Sequence, residues 1–378
     1  MDFNLTEEQK MMQDLAYKFA KKEFPPIALE CDREEKYPRE LLTKAAENGL
    51  VGILMPEEFG GAGLGFFELA LITEQLCRID SSLALVAVGS TFGSENIMIF
   101  GSDELKKKYL PGLPEGERIA AGAYTEPNAG TDITGYRTTA KKDGDDYIIN
   151  GSKMFISNGT VCDFMVAGCI TNPEEKSPYK KMSLIAIDAD SPGITRTKLY
   201  GKMGIRATDT AEITFDDVRV PQSNLVGQEG SGFHQIMAFF DRTRTLVAAQ
   251  GTGLAQGCLD KSIEYVRQRP MFGQTLWDQQ GVQFKLAEMA VLIELQRSIT
   301  YQASWKVDND QMDARLNSIA KYHAGITATK VADMALQLHG GYGYMDEYDV
   351  QRFYRDAKIL DIYEGAKEAE LLTIARRL

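Results

Sequence analysis

The sequence predicts a mostly α-helical protein with a central antiparallel β domain. Apolar residues recur at helical spacing in the first third, β-rich stretches alternate with turn dipeptides in the middle, and long amphipathic helices follow. A chain of 378 residues is too long for one ordinary core. We therefore expect three domains, at residues 1–115, 116–225 and 226–378, which together can enclose a large ligand.

The N-terminal domain is predicted to be helical. Thr6 is a suitable N-cap with Gln9 three positions later, and apolar residues follow at near-helical spacing as far as Phe24. The same periodicity returns at residues 41–50 and 67–76. These segments indicate several short helices in the first domain.

The middle domain is predicted to be a small antiparallel β lobe. Turn dipeptides at residues 143–144, 150–151 and 158–159 separate stretches with a period of two. The clearest strands are residues 147–149, 164–167, 183–187 and 212–215. Parallel pairing would require crossover helices, and no segment of this region fits one.

The C-terminal domain is predicted to be a bundle of long helices. One apolar helix face consists of Phe284, Ala287, Val291 and Leu295. Gly251 and Gly253 lie within a helical pattern rather than after a strand, and no P-loop spacing occurs. A Rossmann or P-loop nucleotide site is therefore not expected.

Composition narrows the classes of function. The chain has 42 basic and 54 acidic residues, and its formal net charge of −12 disfavours nucleic-acid binding. Its five cysteines are widely spaced without a CxxC pair, and only three histidines accompany them, so we expect neither disulfides nor a metal site. The N-terminus lacks the basic-then-apolar pattern of a signal peptide. We expect a cytoplasmic protein without a membrane span.

Three segments carry groups suited to a cofactor or to catalysis. The loop at residues 123–132 offers hydroxyls and turn amides, although ordinary turns use the same residue types. Residues 153–159 place an aromatic beside a hydroxyl, although an aromatic in a strand is more often part of the core. Glu364 follows an apolar run, and burial would raise its pKa towards that of a general base. Taken alone, a glutamate is more often a solvated surface residue.

The order of the motifs resembles the acyl-CoA dehydrogenase family along nearly the whole chain. The matching segments are residues 5–9, 56–61, 124–132, 202–206, 215–221, 269–273, 337–344, 355–357 and 374–376. Chance cannot supply such a series in the family's order. The resemblance implies a helical N-terminal domain, a β-barrel-like middle domain and a C-terminal four-helix bundle, with FAD between the last two.

The resemblance also implies which residues bind FAD. Contacts to the flavin and its linker are implied for Tyr124, Thr125, Gly130, Thr131, Phe155, Ser157, Ala366 and Glu368. Contacts to the pyrophosphate and adenine end, partly across a subunit boundary, are implied for Arg269, Phe272, Gln280, Gln337, Leu338, Gly340 and Gly341. A homotetramer, or at least a dimer, follows. The family usually has Thr at position 366 and often Trp at 155, so one FAD hydroxyl contact is in doubt and the flavin has more room.

The implied substrate is a coenzyme A thioester. Asp241 and Arg244 match the family's Asp-x-x-Arg, although a surface ion pair on a helix, worth only about 0.2 to 0.5 kcal/mol, has the same spacing. The other implied substrate contacts are Thr91, Thr131, Phe240 and Gly365. Glu364 is the implied base: it removes the Cα proton while hydride leaves Cβ for flavin N5, and the electrons pass to an acceptor such as electron-transferring flavoprotein. Other members carry the base at the position of Thr243, which cannot serve here.

Substrate shape is predicted from the uncharged run at residues 81–94, which is too short to span a bilayer. The pocket-lining candidates are Leu85, Val88, Gly89, Thr91, Phe92 and Gly93. Such a lining favours a short, branched or cyclic acyl group over a dicarboxylic one. Two alternatives are a flavin oxidase or monooxygenase on the same scaffold and an acyl-CoA binder that has lost its base. Glu364 together with Asp241 and Arg244 argues against the first alternative, and the presence of Glu364 argues against the second.

Overall fold

The computed structural model describes residues 4–378. Helices form the first and last parts of the described chain and strands form the middle, which confirms the predicted fold class. The domain boundaries remain a prediction.

In the described part of the chain, seven α-helices precede the sheet. They are α1 (Glu7–Glu23), α2 (Pro25–Glu34), α3 (Arg39–Glu47), α4 (Phe66–Cys77), α5 (Ser81–Val88), α6 (Ser94–Phe100) and α7 (Asp103–Tyr109). The predicted cap of α1 is present, because the Thr6 hydroxyl accepts the Gln9 N–H at 3.2 Å and the Gln9 side chain accepts the Thr6 N–H at 3.0 Å. The residues of α4 from Leu69 onward are all buried, and α5 is mostly buried.

The middle of the chain forms a mixed sheet. Its strands are β1 (Ala120–Ala123), β2 (Thr139–Asp143), β3 (Asp146–Ser157), β4 (Phe164–Ile170), β5 (Met182–Asp188), β6 (Ile194–Lys198), β7 (Thr210–Pro221) and β8 (Leu225–Val226). The order is β6-β7-β3-β2-β4-β5-β8, with β1 beside β4. The four predicted strands lie within β3, β4, β5 and β7. Most pairs are antiparallel, but β4 pairs in parallel with β1 and, at one position, with β2. The β2–β3 hairpin lies within the crossover between β1 and β4, so no crossover helix is needed.

Long helices form the last part of the chain. They are α8 (Gly232–Gln268), α9 (Gln280–Asp308), α10 (Ala314–His339), α11 (Val350–Ala357) and α12 (Lys367–Ala375), with the short hairpin β9 (Pro270–Met271) and β10 (Gln274–Thr275) after α8. The periodic face predicted on α9 is not buried: Phe284, Val291 and Leu295 are 65%, 58% and 60% exposed. The buried face of α9 carries Leu286 and Met289 instead.

Arg355 and Asp356 on α11 connect three parts of the fold. The Arg355 guanidinium donates to both carboxylate oxygens of Asp32 on α2, at 3.0 and 2.6 Å, and to the carbonyl of Met203 at 2.9 Å. The Asp356 carboxylate accepts the Ile205 N–H at 2.6 Å. Two of the motifs found in the sequence therefore make structural contacts.

Within residues 4–378, no helix is long and apolar enough to cross a bilayer. In that same range, no group of three or more His, Cys, Asp or Glu side chains is placed to hold a metal ion. All five cysteines are buried free thiols.

Candidate active site

Glu364 lies in a left-handed turn between α11 and α12. The φ angles of Glu364 and Gly365 are +54° and +105°, a conformation that side chains with a Cβ rarely adopt. A Cβ at position 365 would lie 2.0 Å from Oε1 of Glu370, so the site requires glycine. A left-handed non-glycine residue costs about 1 to 3 kcal/mol, which the surrounding contacts must offset.

Neighbouring side chains hold this turn. The Thr243 hydroxyl on α8 donates a hydrogen bond to the Glu364 carboxylate. The Lys321 ammonium group on α10 donates to the Gly365 carbonyl, and the Tyr363 hydroxyl donates to Gln250 on α8. Within the described residues the Glu364 N–H has no acceptor, which leaves it available to a ligand.

Burial and neighbouring groups shift the pKa of the Glu364 carboxyl. Burial raises the pKa of its carboxyl to about 7, while the Thr243 hydrogen bond and the positive charges of Arg244 and Lys321 lower the pKa and the charge of Glu370 raises it. Part of the residue's surface is accessible, but protein atoms surround the carboxyl group closely enough for desolvation to dominate. A pKa close to neutrality suits a general base.

Asp241 and Arg244 form a largely buried pair beside this turn. Arg244 Nη1 donates to Asp241 Oδ1 at 2.5 Å. Arg244 Nε lies 3.0 Å from Oε1 of the buried Glu370, although its N–H does not point at that oxygen. Since the Arg244 side chain is only 9% exposed, this is not a solvated pair on a helix surface.

A buried ion pair stabilises the predicted flavin loop at residues 123–132. Lys153 Nζ on β3 lies 2.8 Å from Glu126 Oε1, and both side chains are almost completely buried. The Glu126 carboxylate also accepts two backbone N–H groups, at 2.7 and 3.1 Å. Lys153 donates in addition to the Tyr124 carbonyl at 3.2 Å. The pair therefore holds the loop against the sheet.

Phe155 and Ser157 lie on the exposed side of β3, next to this loop. The Met154 N–H donates to the Thr125 carbonyl at 2.9 Å, which joins strand and loop. Phe155 is 67% exposed and has a φ of +59°, at an irregularity in the pairing of β3 with β7. It is not a core aromatic. Together with the exposed Gly130 and Thr131, these residues form an open surface beside the loop.

Tyr124 connects this surface to Glu364. Its buried ring lies 5.9 Å from that of Phe240, which precedes Asp241 on α8. Burial raises the pKa of Tyr124, and the negative charge of Glu364 contributes to the same shift. One cluster thus contains Tyr124, Phe240, Asp241, Arg244, Glu364 and Gly365.

A second group of predicted cofactor residues lies at the other end of α8. It contains Arg269, Phe272, Gln280, Gln337, Leu338, Gly340 and Gly341. Arg269 follows the last residue of α8, its guanidinium lies 5.2 Å from the Tyr342 ring, and Phe272 is 86% exposed. Asp241 and Arg269 are 28 residues apart, which is about 42 Å along a straight helix. The second group therefore lies at the opposite end of α8 from Asp241 and Arg244.

The remaining predicted residues lie near the turn and the pocket. Ala366 and Glu368 lie at the start of α12, where Glu368 is exposed. Thr91 and Val88 line a narrow cavity beside the loop at residues 50–55. The expected uncharged lining is incomplete, because the buried Glu95 also lies in this wall.

Comparison with known proteins identifies the family. Models of the N-terminal, middle and C-terminal domains of acyl-CoA dehydrogenases match residues 6–117, 121–218 and 230–378. The chain belongs to the acyl-CoA dehydrogenase family. It is therefore an oxidoreductase that acts on CH–CH bonds.

Relatives of this acyl-CoA dehydrogenase match over full length. The chain is 40% identical to the acryloyl-CoA reductase (NADH) of Anaerotignum propionicum over 100% of this chain and 96% of that protein. The butyryl-CoA dehydrogenase structure from Megasphaera elsdenii has a TM-score of 0.95 and 36% identity, and covers 100% and 99% of the two chains. A chain in a structure described as the electron-transferring flavoprotein of Acidaminococcus fermentans has a TM-score of 0.96 and 37% identity, with the same coverage.

Sequence reasoning missed three side chains around Glu364 in this acyl-CoA dehydrogenase. Thr243 was considered only as a position that cannot supply the base. Lys321 and Glu370 are charged residues on helices, where a charge usually indicates a solvated face. Both are buried, however. The available signal was the position of Lys321 between the small residues Ala320 and Ala324 on the packed face of α10.

Proposed function

We propose that this protein oxidises a short, branched or cyclic acyl-CoA thioester to the 2-enoyl-CoA, with FAD as cofactor and Glu364 as base. The observation that carries the proposal is the Glu364 carboxyl, whose pKa burial raises to about 7. It lies beside the Asp241–Arg244 pair and is near enough to Tyr124 to shift the Tyr124 pKa. FAD, when bound, would supply the hydride acceptor at N5 for the hydrogen that leaves Cβ.

Glu364 has two tasks in the proposed reaction. Its carboxylate takes the proton from Cα, which builds enolate-like negative charge on the thioester oxygen. Its own N–H has no acceptor in residues 4–378, and donates to that oxygen as the charge develops. Thr243 keeps the carboxylate in one orientation, and bound substrate excludes water, which further favours proton uptake by the base.

Replacing Glu364 with Gln tests the proposal. The variant should keep yellow bound FAD but lose the bleaching of flavin absorbance by substrate, because a positioned base contributes about 10²- to 10⁴-fold to rate. The measurement is anaerobic stopped-flow absorbance with straight, branched and cyclic acyl-CoA esters. Turnover like that of the unmodified protein would remove Glu364 from the mechanism. Rapid oxygen consumption without an added acceptor would indicate the alternative, a flavin oxidase or monooxygenase.

The FAD site is proposed at the open surface around Phe155. Phe155→Ala should weaken FAD retention, measured by the recovery of flavin fluorescence on dilution. Because the side chain is exposed, the free energy of unfolding of the apoprotein should change by less than about 0.5 kcal/mol. A loss of about 3 to 5 kcal/mol, as expected for a buried Phe, would show that Phe155 is a core residue.

We also propose that the protein is a homotetramer, or at least a dimer, and passes its electrons to an electron-transferring flavoprotein in the cytoplasm. The second group of cofactor residues lies at the far end of α8 from Asp241, which supports a cofactor site completed by a second copy of the chain. An exposed apolar face on α9, formed by Phe284, Val291 and Leu295, supports self-association. Sedimentation analysis tests the assembly, and a monomer at micromolar concentration would contradict it. Reduction of added electron-transferring flavoprotein tests the acceptor.

A further inference from the structure

Glu95 on α6 is a buried carboxyl group that the proposed reaction does not use. It is 9% exposed and lines the narrow cavity together with Val88, Thr91 and residues 50–55. Its Oε2 accepts the Gly93 N–H at 2.9 Å. Across residues 4–378, no side chain donates to its Oε1. The Glu95 backbone N–H also contributes a hydrogen bond to the carboxyl group, and the remaining lone pairs of a carboxylate can accept a further donor from a ligand.

The side chains around Glu95 link it to the reacting centre. Asn96, the next residue, donates from Nδ2 to the Tyr124 hydroxyl at 2.7 Å, and its own Oδ1 is buried without a partner. Burial raises the pKa of Glu95 to about 7, and the charge of Glu364 raises it as well. Thr91, Ser94 and Glu95 make one part of the cavity lining polar, whereas most of the lining is apolar.

We propose that Glu95 is a specificity-determining residue whose carboxylate accepts a hydrogen bond from a hydroxyl group on the acyl chain. This inference rests on the proposed oxidation of acyl-CoA thioesters and names the substrate class, an ester with a hydroxyl beyond Cβ. The cavity has room for about one water-sized group, which matches a hydroxyl.

Other polar groups fit Glu95 less well than a hydroxyl. An ammonium group would also attract the Glu364 carboxylate and lower its pKa, which would weaken the base. A carboxylate would be repelled by both Glu95 and Glu364. A methyl group would bring no donor to the Glu95 carboxylate.

Two esters of nearly equal shape test the inference. 4-Hydroxybutanoyl-CoA and pentanoyl-CoA differ only by a hydroxyl in place of a methyl at the chain end. The unmodified protein should oxidise the hydroxy ester with about fivefold or greater advantage in kcat/KM, since a site built to bond a hydroxyl rejects its apolar analogue. Glu95→Met, apolar and of similar length, should change that ratio at least about tenfold in favour of pentanoyl-CoA.

Two further measurements separate binding from chemistry and from folding. Calorimetric titration of both esters into the Glu364→Gln variant should show tighter binding of 4-hydroxybutanoyl-CoA than of pentanoyl-CoA. The order of affinity should reverse in the Glu364→Gln, Glu95→Met double variant. Bound-FAD absorbance and thermal unfolding establish that the variants are folded. Glu95→Gln, which keeps a carbonyl acceptor, should retain part of the preference and replaces Glu95→Met if that variant does not fold.

The outcomes distinguish this inference from the proposed function. If the unmodified protein bleaches with pentanoyl-CoA but shows no preference for the hydroxy ester, the role of Glu95 is overturned while acyl-CoA oxidation stands. If Glu95→Met leaves the ratio of kcat/KM for the two esters unchanged, the role of Glu95 is likewise overturned. If no acyl-CoA ester bleaches the flavin, the proposed function fails and this inference fails with it.

Discussion

Replacing Thr243 with Val removes the hydrogen bond that its hydroxyl donates to the Glu364 carboxylate. Valine has nearly the same shape as threonine, so the packing of α8 is preserved. The hydrogen bond stabilises the ionised carboxylate and lowers its pKa. Its loss must therefore raise the pKa of Glu364 and move the acidic limb of the activity profile to higher pH.

The size of this shift follows from the energy of one hydrogen bond. A hydrogen bond to a charged group contributes about 1.5 to 3 kcal/mol, and about 1.36 kcal/mol corresponds to one pKa unit. Because Glu364 is partly accessible, we take the lower end, a rise of about one unit. The pKa of Glu364 begins at about 7. At pH 7 the ionised fraction should then fall about fivefold, whereas at pH 9 the loss should nearly vanish.

The assay is the pH dependence of kcat/KM for anaerobic flavin bleaching, since kcat/KM reports the pKa of the free enzyme. Thr243→Ser is the matched control, because it keeps the hydroxyl and should keep the original profile. A Thr243→Val profile that coincides with that of the unmodified protein would refute the role of this hydrogen bond. A uniform loss at every pH would indicate displaced geometry rather than altered acidity.

Two further predictions concern the flavin loop and the base-bearing turn. Lys153→Met should lower the free energy of unfolding by about 3 to 5 kcal/mol, because it leaves the Glu126 carboxylate buried without its partner. Urea unfolding of the holoprotein measures this change. Adding Glu126→Gln to Lys153→Met should restore part of the lost stability. A loss of less than about 1 kcal/mol in Lys153→Met would contradict the reasoning. Gly365→Ala should abolish most flavin bleaching, since its Cβ would meet Glu370, whereas Gly144→Ala, also at positive φ but in open space, should cost only about 1 to 2 kcal/mol of stability. Equal effects of the two glycine substitutions on flavin bleaching would show that the contact at 365 is unimportant.

The order of helices and strands could be predicted because each type has its own period. The cap at Thr6 and the strands within β3, β4, β5 and β7 were visible in the sequence, since local rules of capping and alternation determine them. Glu364 was identified through the resemblance to the family, because the residues next to a single glutamate do not show whether its side chain is buried. Its contacts with Thr243, 121 positions away, arise only when α8 packs against the turn.

Other features depend on packing that periodicity does not determine. The apolar face of α9 was correctly predicted to exist, but a helical period does not say whether a face meets the core or solvent. The parallel pairing of β1 with β4 was not expected, because the crossover uses a hairpin in place of a helix. Glu95 was missed because it lies just beyond the uncharged run, and only the backbone turn at Gly93 directs it into the cavity wall.

The contacts of Arg355 and Asp356 determine how the chain responds to cutting or grafting. A fragment that contained only the sheet would lose the contacts that Arg355 and Asp356 make with residues 203–205. Asp32 on α2 would lose its ion pair with Arg355. Transplanting the middle region into another scaffold would therefore require α2 and α11 to be transplanted with residues 203–205.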